Sequence, residues 1–335
     1  MRVGYSIFIL FVFLSLLGIS DVSNANRLSH ANSLRYDYYK ETCPQLNKIV
    51  KDFITDINRI NPALGAQLIR LQFHDCFVRG CDGSVLLDTV NNGSKAEKEA
   101  GPNRSLRGFE VIDDIKGVVE RVCPNVVSCA DILALAARDA VSVPFRRPLW
   151  NVALGRRDGV ISLANETNGN IPGPFSNFTT LLQLFNSKGL DVYDLVVLSG
   201  AHSIGVAHCG GVSRRLYNFT GKGDADPSLD PEYAGILREK CPNPANPNTT
   251  VEMDPASSLR FDKHYYDILR QNKGLFVSDA ALLTDRESES IVVQLQRSTT
   301  LFLHAFSRSM RKMTAIDVLT RDDGQIRQNC RLINP

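Results

Sequence analysis

One short stretch of the chain places a histidine, an arginine and several carboxylates at spacings that could support acid–base chemistry. It reads RLQFHDCFVRGCDGS over residues 70–84. Arg70 and His74 stand four positions apart, so on a helix they share one face. A fixed cation lowers the proton affinity of a neighbouring imidazole, and a neutral histidine can then act as a general base. An ordinary hydrogen-bond network on a helix face is the alternative that the spacing leaves open.

The residues after His74 have a different character. Asp75, Asp82 and Ser84 alternate with Gly80 and Gly83 in a loop bounded by two cysteines. Carboxylate and hydroxyl oxygens at this density, on a backbone that glycine allows to curl, indicate a calcium site. The spacing is not that of an EF-hand, and a solvated acidic turn is the alternative.

A second histidine lies in DLVVLSGAHSIG, residues 194–205. His202 is bracketed by Gly200, Ala201 and Gly205, and these small neighbours predict that a large flat ligand could approach the backbone. A buried structural histidine is the alternative. The remaining histidines are interpreted as ordinary surface or core residues: His30, His208, His264 and His304.

Apolar side chains recur at helical spacing through most of the chain, so we expect helices to position these residues. The predicted helices cover residues 46–61, 63–77, 109–122, 128–141, 177–188, 192–199, 261–272 and 288–317. Strand-like alternation is scarce, so the pattern predicts a mostly α protein. Asp191 is predicted to cap the helix that leads to His202.

The N-terminus has the features of a cleavable signal peptide. Arg2 precedes an apolar run over residues 7–17, and small and polar residues end at Ala25. The apolar run is shorter than the ~20 residues that a membrane-spanning helix needs, which disfavours an uncleaved anchor. We therefore expect a signal peptide over residues 1–25 and one secreted domain over residues 26–335.

The eight cysteines all lie in the expected mature chain, and an even number in an oxidising compartment predicts four disulfides. Their spacing alone leaves the pairing open. No C-x-x-C pair occurs, so zinc is not predicted. A hydrolase using Cys76 and His74 would need a free thiol, which a short disulfide would remove.

Glycosylation sequons agree with secretion, and they begin at Asn92, Asn103, Asn165, Asn177, Asn218 and Asn248. The formal charge of +2 is small, and the basic residues are spread along the chain. No nucleic-acid partner is therefore predicted.

Several long motifs occur in an order that resembles the plant secretory (class III) haem peroxidases over essentially all of residues 26–335. They are RLQFHDCFVRGCDGSVLLD (70–88), RSLRGFEVID (104–113), CPNVVSCADILALAARDAV (123–141), LGRRDG (154–159), DLVVLSGAHSIG (194–205) and FDKHYY (261–266). The resemblance implies a two-lobed, all-helical fold with haem b between a distal and a proximal helix. It also implies a monomeric, extracellular, cell-wall enzyme that reduces hydrogen peroxide. Phenolic or other aromatic donors would be oxidised in one-electron steps, in cell-wall phenol or lignin metabolism or in the response to oxidative stress.

The resemblance also assigns roles to individual residues. His202 would be the proximal iron ligand, with Asp279 accepting its other ring proton. His74 would be the distal base, oriented by Asn103, and it would take a proton from hydrogen peroxide and return it to the leaving oxygen. Arg70 would stabilise the charge that develops as the O–O bond breaks.

Further residues carry over by the same resemblance. Phe73 would form a wall of the peroxide pocket, and Pro172 would line the mouth where aromatic donors deliver electrons. The distal calcium ligands would be Asp75, Val78, Gly80, Asp82 and Ser84, with Val78 and Gly80 acting through carbonyls. The proximal calcium ligands would be Ser203, Asp254, Ser257, Arg260 (through its carbonyl) and Asp262. The implied disulfides are Cys43–Cys123, Cys76–Cys81, Cys129–Cys330 and Cys209–Cys241.

The chain departs from the family pattern at a few positions. Ser203 stands where threonine is usual, and Lys263 stands for an asparagine. Val212 replaces a phenylalanine, which predicts weaker aromatic stacking at the substrate mouth. Asn103 lies in a sequon but is expected to be buried and unmodified. The alternative is a haem- and calcium-containing protein without catalytic activity. The presence of all six residues assigned to the haem pocket argues against it: Arg70, Phe73, His74, Asn103, His202 and Asp279.

Overall fold

The structure is a computed structural model that describes residues 33–90 and 93–335. The predicted signal peptide, His30 and the Asn92 sequon lie outside the described residues. Within them, the α-helices are α1 (Leu46–Ile60), α2 (Leu64–Val78), α3 (Phe109–Val122), α4 (Cys129–Ser142), α5 (Phe178–Ser187), α6 (Val192–Ser199), α7 (Ser213–Tyr217), α8 (Pro231–Lys240), α9 (His264–Arg270), α10 (Val277–Ala281), α11 (Arg286–Leu295) and α12 (Thr299–Met313). The mostly α prediction is confirmed.

The main core is organised around α4, which packs against α1 and α2. Every residue of α4 is buried, including its alanine-rich run. Alanine side chains are small and favour the helix, so neighbouring helices can approach closely. Ser128 caps the start of the helix, and its hydroxyl accepts a hydrogen bond from the Asp131 N–H at 3.1 Å. This packing holds α2, the helix that carries Arg70 and His74, in a rigid setting.

A smaller core lies beside the main one and accounts for the second lobe. Its buried members include Leu216, Tyr233 and Met253. Two short antiparallel strands border it, β1 (Val206–His208) and β2 (Thr250–Glu252), with Ala207 opposite Val251. The two-lobed arrangement agrees with the expected fold. The fold is not purely helical, because it contains this two-stranded sheet, which was not predicted.

Two helix predictions were wrong in extent. The pattern over residues 288–317 predicted one helix, but the structure has two, α11 and α12. They are separate because Ser298 caps the start of α12, where its hydroxyl accepts from the Leu301 N–H at 3.5 Å. The pattern over residues 261–272 begins three residues before α9. The helices α7, α8 and α10 were not predicted. The helices α7 and α10 have five residues each, which is too few turns to show a clear periodicity, whereas α8 has ten residues.

Four disulfides join the described cysteines, and they are the pairs that the family resemblance implies: Cys43–Cys123, Cys76–Cys81, Cys129–Cys330 and Cys209–Cys241. No free cysteine occurs among the described residues, which removes the thiol that a hydrolase would need. Within the same part of the chain, no helix combines the length and apolar character required to cross a membrane.

Candidate active site

The distal part of the site is a hydrogen-bonded chain that ends on His74. The Nδ1 atom of His74 lies 2.6 Å from Asn103 Oδ1. The amide nitrogen of Asn103 donates to the backbone carbonyl of Glu97 at 2.8 Å. A carbonyl can only accept, so this bond fixes the orientation of the Asn103 amide and leaves Oδ1 towards the imidazole. The Nδ1 atom of His74 therefore carries the proton, and Nε2 keeps the lone pair of a base.

The electrostatics keep that base neutral. Burial, and next the positive charge of Arg70, lower the pKa of His74 to about 3. Burial, and next the charge of Arg107, lower the pKa of Arg70 to about 10, so its guanidinium stays charged at neutral pH. Arg70 donates to the Pro102 carbonyl at 2.9 Å. The helix-face pair predicted from sequence is thus a neutral imidazole beside a fixed cation.

Phe73 packs against this base. Its ring is half-buried and meets His74 edge to face, with 5.3 Å between the ring centroids. It also packs on Phe77 at 4.4 Å. An apolar wall next to the imidazole excludes water from one side of it and favours the neutral form.

The proximal part of the site is centred on Asp279. His202 Nδ1 lies 2.7 Å from Asp279 Oδ1, and the Phe276 N–H donates to Oδ2 at 2.8 Å. Burial works to raise the pKa of Asp279, but the interactions with His202 and these donors lower it below its usual value. The carboxylate therefore stays ionised and keeps the His202 proton on Nδ1.

The histidine segment reaches the distal helix through Gly205. Its backbone has φ +96°, and a Cβ at this position would lie 2.8 Å from Ala66 on α2. The close approach brings the segment that carries His202 against the helix that carries His74. The small neighbours of His202 were predicted to admit a ligand, and this prediction was wrong for two of them. The space at Gly200 is taken by Tyr266 and Phe302, and that at Gly205 by Ala66.

The acidic loop after His74 gathers buried oxygens. Gly83 N–H donates to Asp75 Oδ2 at 3.0 Å, and Ser84 N–H donates to Asp82 Oδ1 at 2.9 Å. Burial, and next the charge of Asp82, raise the pKa of Asp75 well above its usual value. The Ser84 hydroxyl and both carboxyl oxygens of Glu97 are buried without a hydrogen-bond partner in the described part of the chain.

A second group of oxygens lies near His202. The Ser203 hydroxyl, Asp254 Oδ2 and the Ser257 hydroxyl are buried, and none has a hydrogen-bond partner among the described residues. Asp262 Oδ1 accepts from the His264 N–H at 2.8 Å. Over residues 33–90 and 93–335, no cluster of three or more His, Cys, Asp or Glu side chains is arranged to hold a metal. Any cation here would need hydroxyl and carbonyl ligands as well.

The remaining predicted site residues lie around these centres. Pro172 is half-buried in a surface loop, and that loop is tied to the proximal part because the Ser278 N–H donates to the Pro174 carbonyl at 3.1 Å. The Val78 carbonyl lies 3.5 Å from Lys188 Nζ. The Gly80 carbonyl accepts from the Asp82 N–H at 2.9 Å, and the Arg260 N–H donates to the Ser257 carbonyl at 2.8 Å.

Val212 is wholly buried in the smaller core, so its side chain is not exposed to a donor. Weaker aromatic stacking at the substrate mouth stays a prediction. The neighbouring Gly211 lies against the ring of Phe276, where a Cβ would be 2.9 Å away.

Three residues of the site were not predicted: Glu97, Tyr265 and His264. The Glu97 carbonyl orients Asn103, and its buried carboxyl has a pKa raised to about 9, chiefly by burial and then by Asp75. Tyr265 donates to Asp279 Oδ1 at 2.9 Å. His264 Nδ1 lies 2.6 Å from Asp254 Oδ1, although His264 was interpreted as ordinary. Tyr265 and His264 stand in the FDKHYY motif, so that motif was the available signal.

A fold of helices with four disulfides, and two histidines oriented by an amide and a carboxylate, define an oxidoreductase of the haem-peroxidase type. The family model described as Peroxidase matches residues 46–298. The chain is 54% identical to Peroxidase 24 of Arabidopsis thaliana over 306 residues, which cover 90% of this chain and 87% of that protein. It is 52% identical to Peroxidase 27 of the same plant, over 91% of this chain and 94% of that protein. Peroxidase 39 is 48% identical over 96% of this chain and 98% of its own length.

The chain therefore belongs to the peroxidase family, within its plant class III branch. It is a peroxidase enzyme, and the family implies a haem cofactor and hydrogen peroxide as the oxidant.

Proposed function

We propose that this peroxidase binds haem b through His202 and oxidises phenolic and other small aromatic donors in one-electron steps. The observation that carries the proposal is the chain from Glu97 through Asn103 to His74, which leaves a neutral histidine with a free Nε2 beside the Arg70 guanidinium. A merely structural histidine needs neither a fixed tautomer nor a fixed cation next to it.

His202 fits the role of an iron ligand. Its Nδ1 is engaged by Asp279 at 2.7 Å, so the lone pair is on Nε2, and 37% of the side chain is exposed. A carboxylate partner raises the donor strength of a ligating imidazole. Haem, when bound there, supplies the redox-active iron at which peroxide is reduced and to which donors give electrons.

The chain's own residues move the protons. His74 Nε2 accepts one proton from hydrogen peroxide and returns it to the oxygen that leaves as water. The Arg70 guanidinium stabilises the negative charge that develops on that oxygen. Two donor molecules then each give one electron and one proton, so one peroxide yields two waters in all. We place the donors at the Pro172 loop.

The test is the optical spectrum of the haem-loaded protein before and after one equivalent of hydrogen peroxide. A rapid spectral change that a phenol reverses is expected, and it should be nearly lost in His74→Ala. His208→Ala is the matched control, because His208 is an exposed histidine on β1. Haem binding without the spectral change would favour the non-catalytic alternative, and no haem binding would refute the proposal.

We also propose two calcium ions. The distal site would use Asp75, Val78, Gly80, Asp82 and Ser84, and the proximal site Ser203, Asp254, Ser257, Arg260 and Asp262. The unpartnered oxygens at Ser84, Ser203 and Ser257 support this, because buried polar atoms ordinarily have a partner. Metal analysis of the purified protein should give two calcium ions per chain. Asp254→Ala should remove one of them.

Delivery to the cell wall, as a glycosylated monomer, completes the proposal. Four of the described sequons have exposed asparagines: Asn165, Asn177, Asn218 and Asn248. Asn103 is only 1% exposed, and both its amide oxygen and its amide nitrogen make hydrogen bonds, to His74 and to the Glu97 carbonyl. These contacts support its being unmodified. Glycopeptide mass spectrometry of the secreted protein should find glycan on exposed sequons and none on Asn103, and a glycosylated Asn103 would contradict the assignment.

A further inference from the structure

One oxygen of the Asp279 carboxylate receives two hydrogen bonds. His202 Nδ1 lies 2.7 Å from Oδ1, and the Tyr265 hydroxyl donates to the same Oδ1 at 2.9 Å. The other oxygen, Oδ2, accepts from the Phe276 N–H at 2.8 Å. The carboxylate is almost wholly buried, at 2% exposure. Water is therefore kept from this oxygen, and the two side chains share its negative charge.

Tyr265 is held in place to make this contact. It is the second residue of α9 and is completely buried. Its ring meets the His202 ring edge to face at 5.9 Å and the Tyr266 ring at 5.2 Å. Burial, and next the charge of Asp279, raise the pKa of Tyr265 well above its usual value. The hydroxyl therefore keeps its proton and remains a donor to Asp279.

We infer that Tyr265 is a positioning residue of the proximal histidine, acting through Asp279. The inference rests on the proposed role of His202 as iron ligand. A carboxylate oxygen that already accepts one strong hydrogen bond attracts a second proton less strongly. The Tyr265 hydroxyl thus limits how far Asp279 draws the Nδ1 proton from His202. His202 remains closer to a neutral imidazole, and its electron donation to iron is held below the value that Asp279 alone would set.

The chain offers a matched control in the next residue. Tyr266 is also completely buried, and its hydroxyl donates to the carbonyls of Val196 at 3.1 Å and Val197 at 3.3 Å. Tyr265→Phe and Tyr266→Phe each remove one buried hydroxyl and its hydrogen bonds. Only the first removes a donor from the carboxylate that orients His202.

The experiment measures the Fe(III)/Fe(II) midpoint potential of the haem-loaded protein, together with the iron–histidine stretching frequency of the ferrous form by resonance Raman spectroscopy. In Tyr265→Phe, Asp279 draws the His202 proton more strongly, and a stronger imidazole donor favours Fe(III). The ferric-to-ferrous ratio at a fixed potential should rise about tenfold, which is a shift of about 59 mV to more negative potential for a one-electron couple. The stretching frequency should rise. Both quantities should be unchanged in Tyr266→Phe.

A double substitution tests whether the effect passes through the carboxylate. In an Asp279→Asn background, adding Tyr265→Phe should change neither quantity further. Equal potentials and equal frequencies for Tyr265→Phe and Tyr266→Phe would overturn the inference. An effect of Tyr265→Phe that is equally large in the Asp279→Asn background would also overturn it, because the carboxylate would then not transmit the effect. If the unsubstituted protein lacked an iron–histidine band, the proposed ligation by His202 would fail instead.

Discussion

The orientation of His74 by Asn103 gives the sharpest prediction. Asn103→Leu keeps the size and branching of the side chain but removes the acceptor of the His74 Nδ1–H group, whose nitrogen lies 2.6 Å from Asn103 Oδ1. His74 is 2% exposed, so water cannot replace the lost partner. As His74 takes the peroxide proton it becomes an imidazolium, and the variant loses a hydrogen bond to this charged group, which contributes about 1.5–3 kcal/mol; about 1.4 kcal/mol corresponds to a tenfold change in rate.

The rate constant for the reaction with hydrogen peroxide should therefore fall by about tenfold to a hundredfold. It is measured by stopped-flow absorbance of the haem under excess peroxide. Asn103 also lies in a sequon, so Ser105→Ala is the control: it removes the sequon and leaves the amide in place. An unchanged rate constant in haem-loaded Asn103→Leu would refute the argument that the amide sets the tautomer of His74.

Four further predictions concern pH, disulfides and calcium. Because the pKa of His74 is lowered to about 3, the rate constant for peroxide should stay constant from neutral pH down to about pH 4, whereas an inflection near the ordinary histidine pKa of about 6.5 would contradict it. In the unfolded chain His74 binds a proton below about pH 6.5, whereas in the folded chain it does so only below about pH 3. His74 therefore lowers the free energy of unfolding as pH falls from about 6.5 to about 3. This contribution to the fall in the free energy of unfolding should be absent in His74→Leu. Denaturant titrations should show that replacing both cysteines of Cys129–Cys330 lowers the free energy of unfolding by about 5 kcal/mol, because this disulfide joins residues 201 apart. Replacing both cysteines of Cys76–Cys81, which are 5 residues apart, should lower it by about 2 kcal/mol. Treatment with EDTA should lower the melting temperature and alter the haem spectrum, since a proposed calcium ligand follows each site histidine; an unaltered spectrum after complete calcium removal would contradict this.

The helices that carry the site were predictable because their apolar residues repeat with helical period over several turns. The pairing of Arg70 with His74 follows from the same geometry, since residues four apart on a helix share a face. The capping by Asp191 was also predicted, and it is confirmed by a capping box in which Asp194 takes part. These features depend on neighbours in sequence.

Features that the sequence pattern did not predict depend on a local side-chain cap in one case and on contacts between distant residues in the others. A continuous apolar pattern ran through Ser298, and the side-chain cap there divides it into α11 and α12. The small residues around His202 indicated space, but Tyr266, Phe302 and Ala66 fill it from other parts of the chain. Burial of Val212 in the smaller core was likewise decided by residues from α8 and β2.

The amino-acid pattern was sufficient to identify the class of protein, the helix that carries His74, the helix that leads to His202 and the residue types available for acid–base and ligand chemistry. The tautomers and charges of those residues depend on the folded molecule. The tautomer of His74 depends on a carbonyl of Glu97, and the charge on Asp279 is shared with Tyr265, which lies 14 residues away along the chain. Hydrogen-bond direction and burial are properties of the packed molecule, because they arise between groups that the chain brings together only on folding.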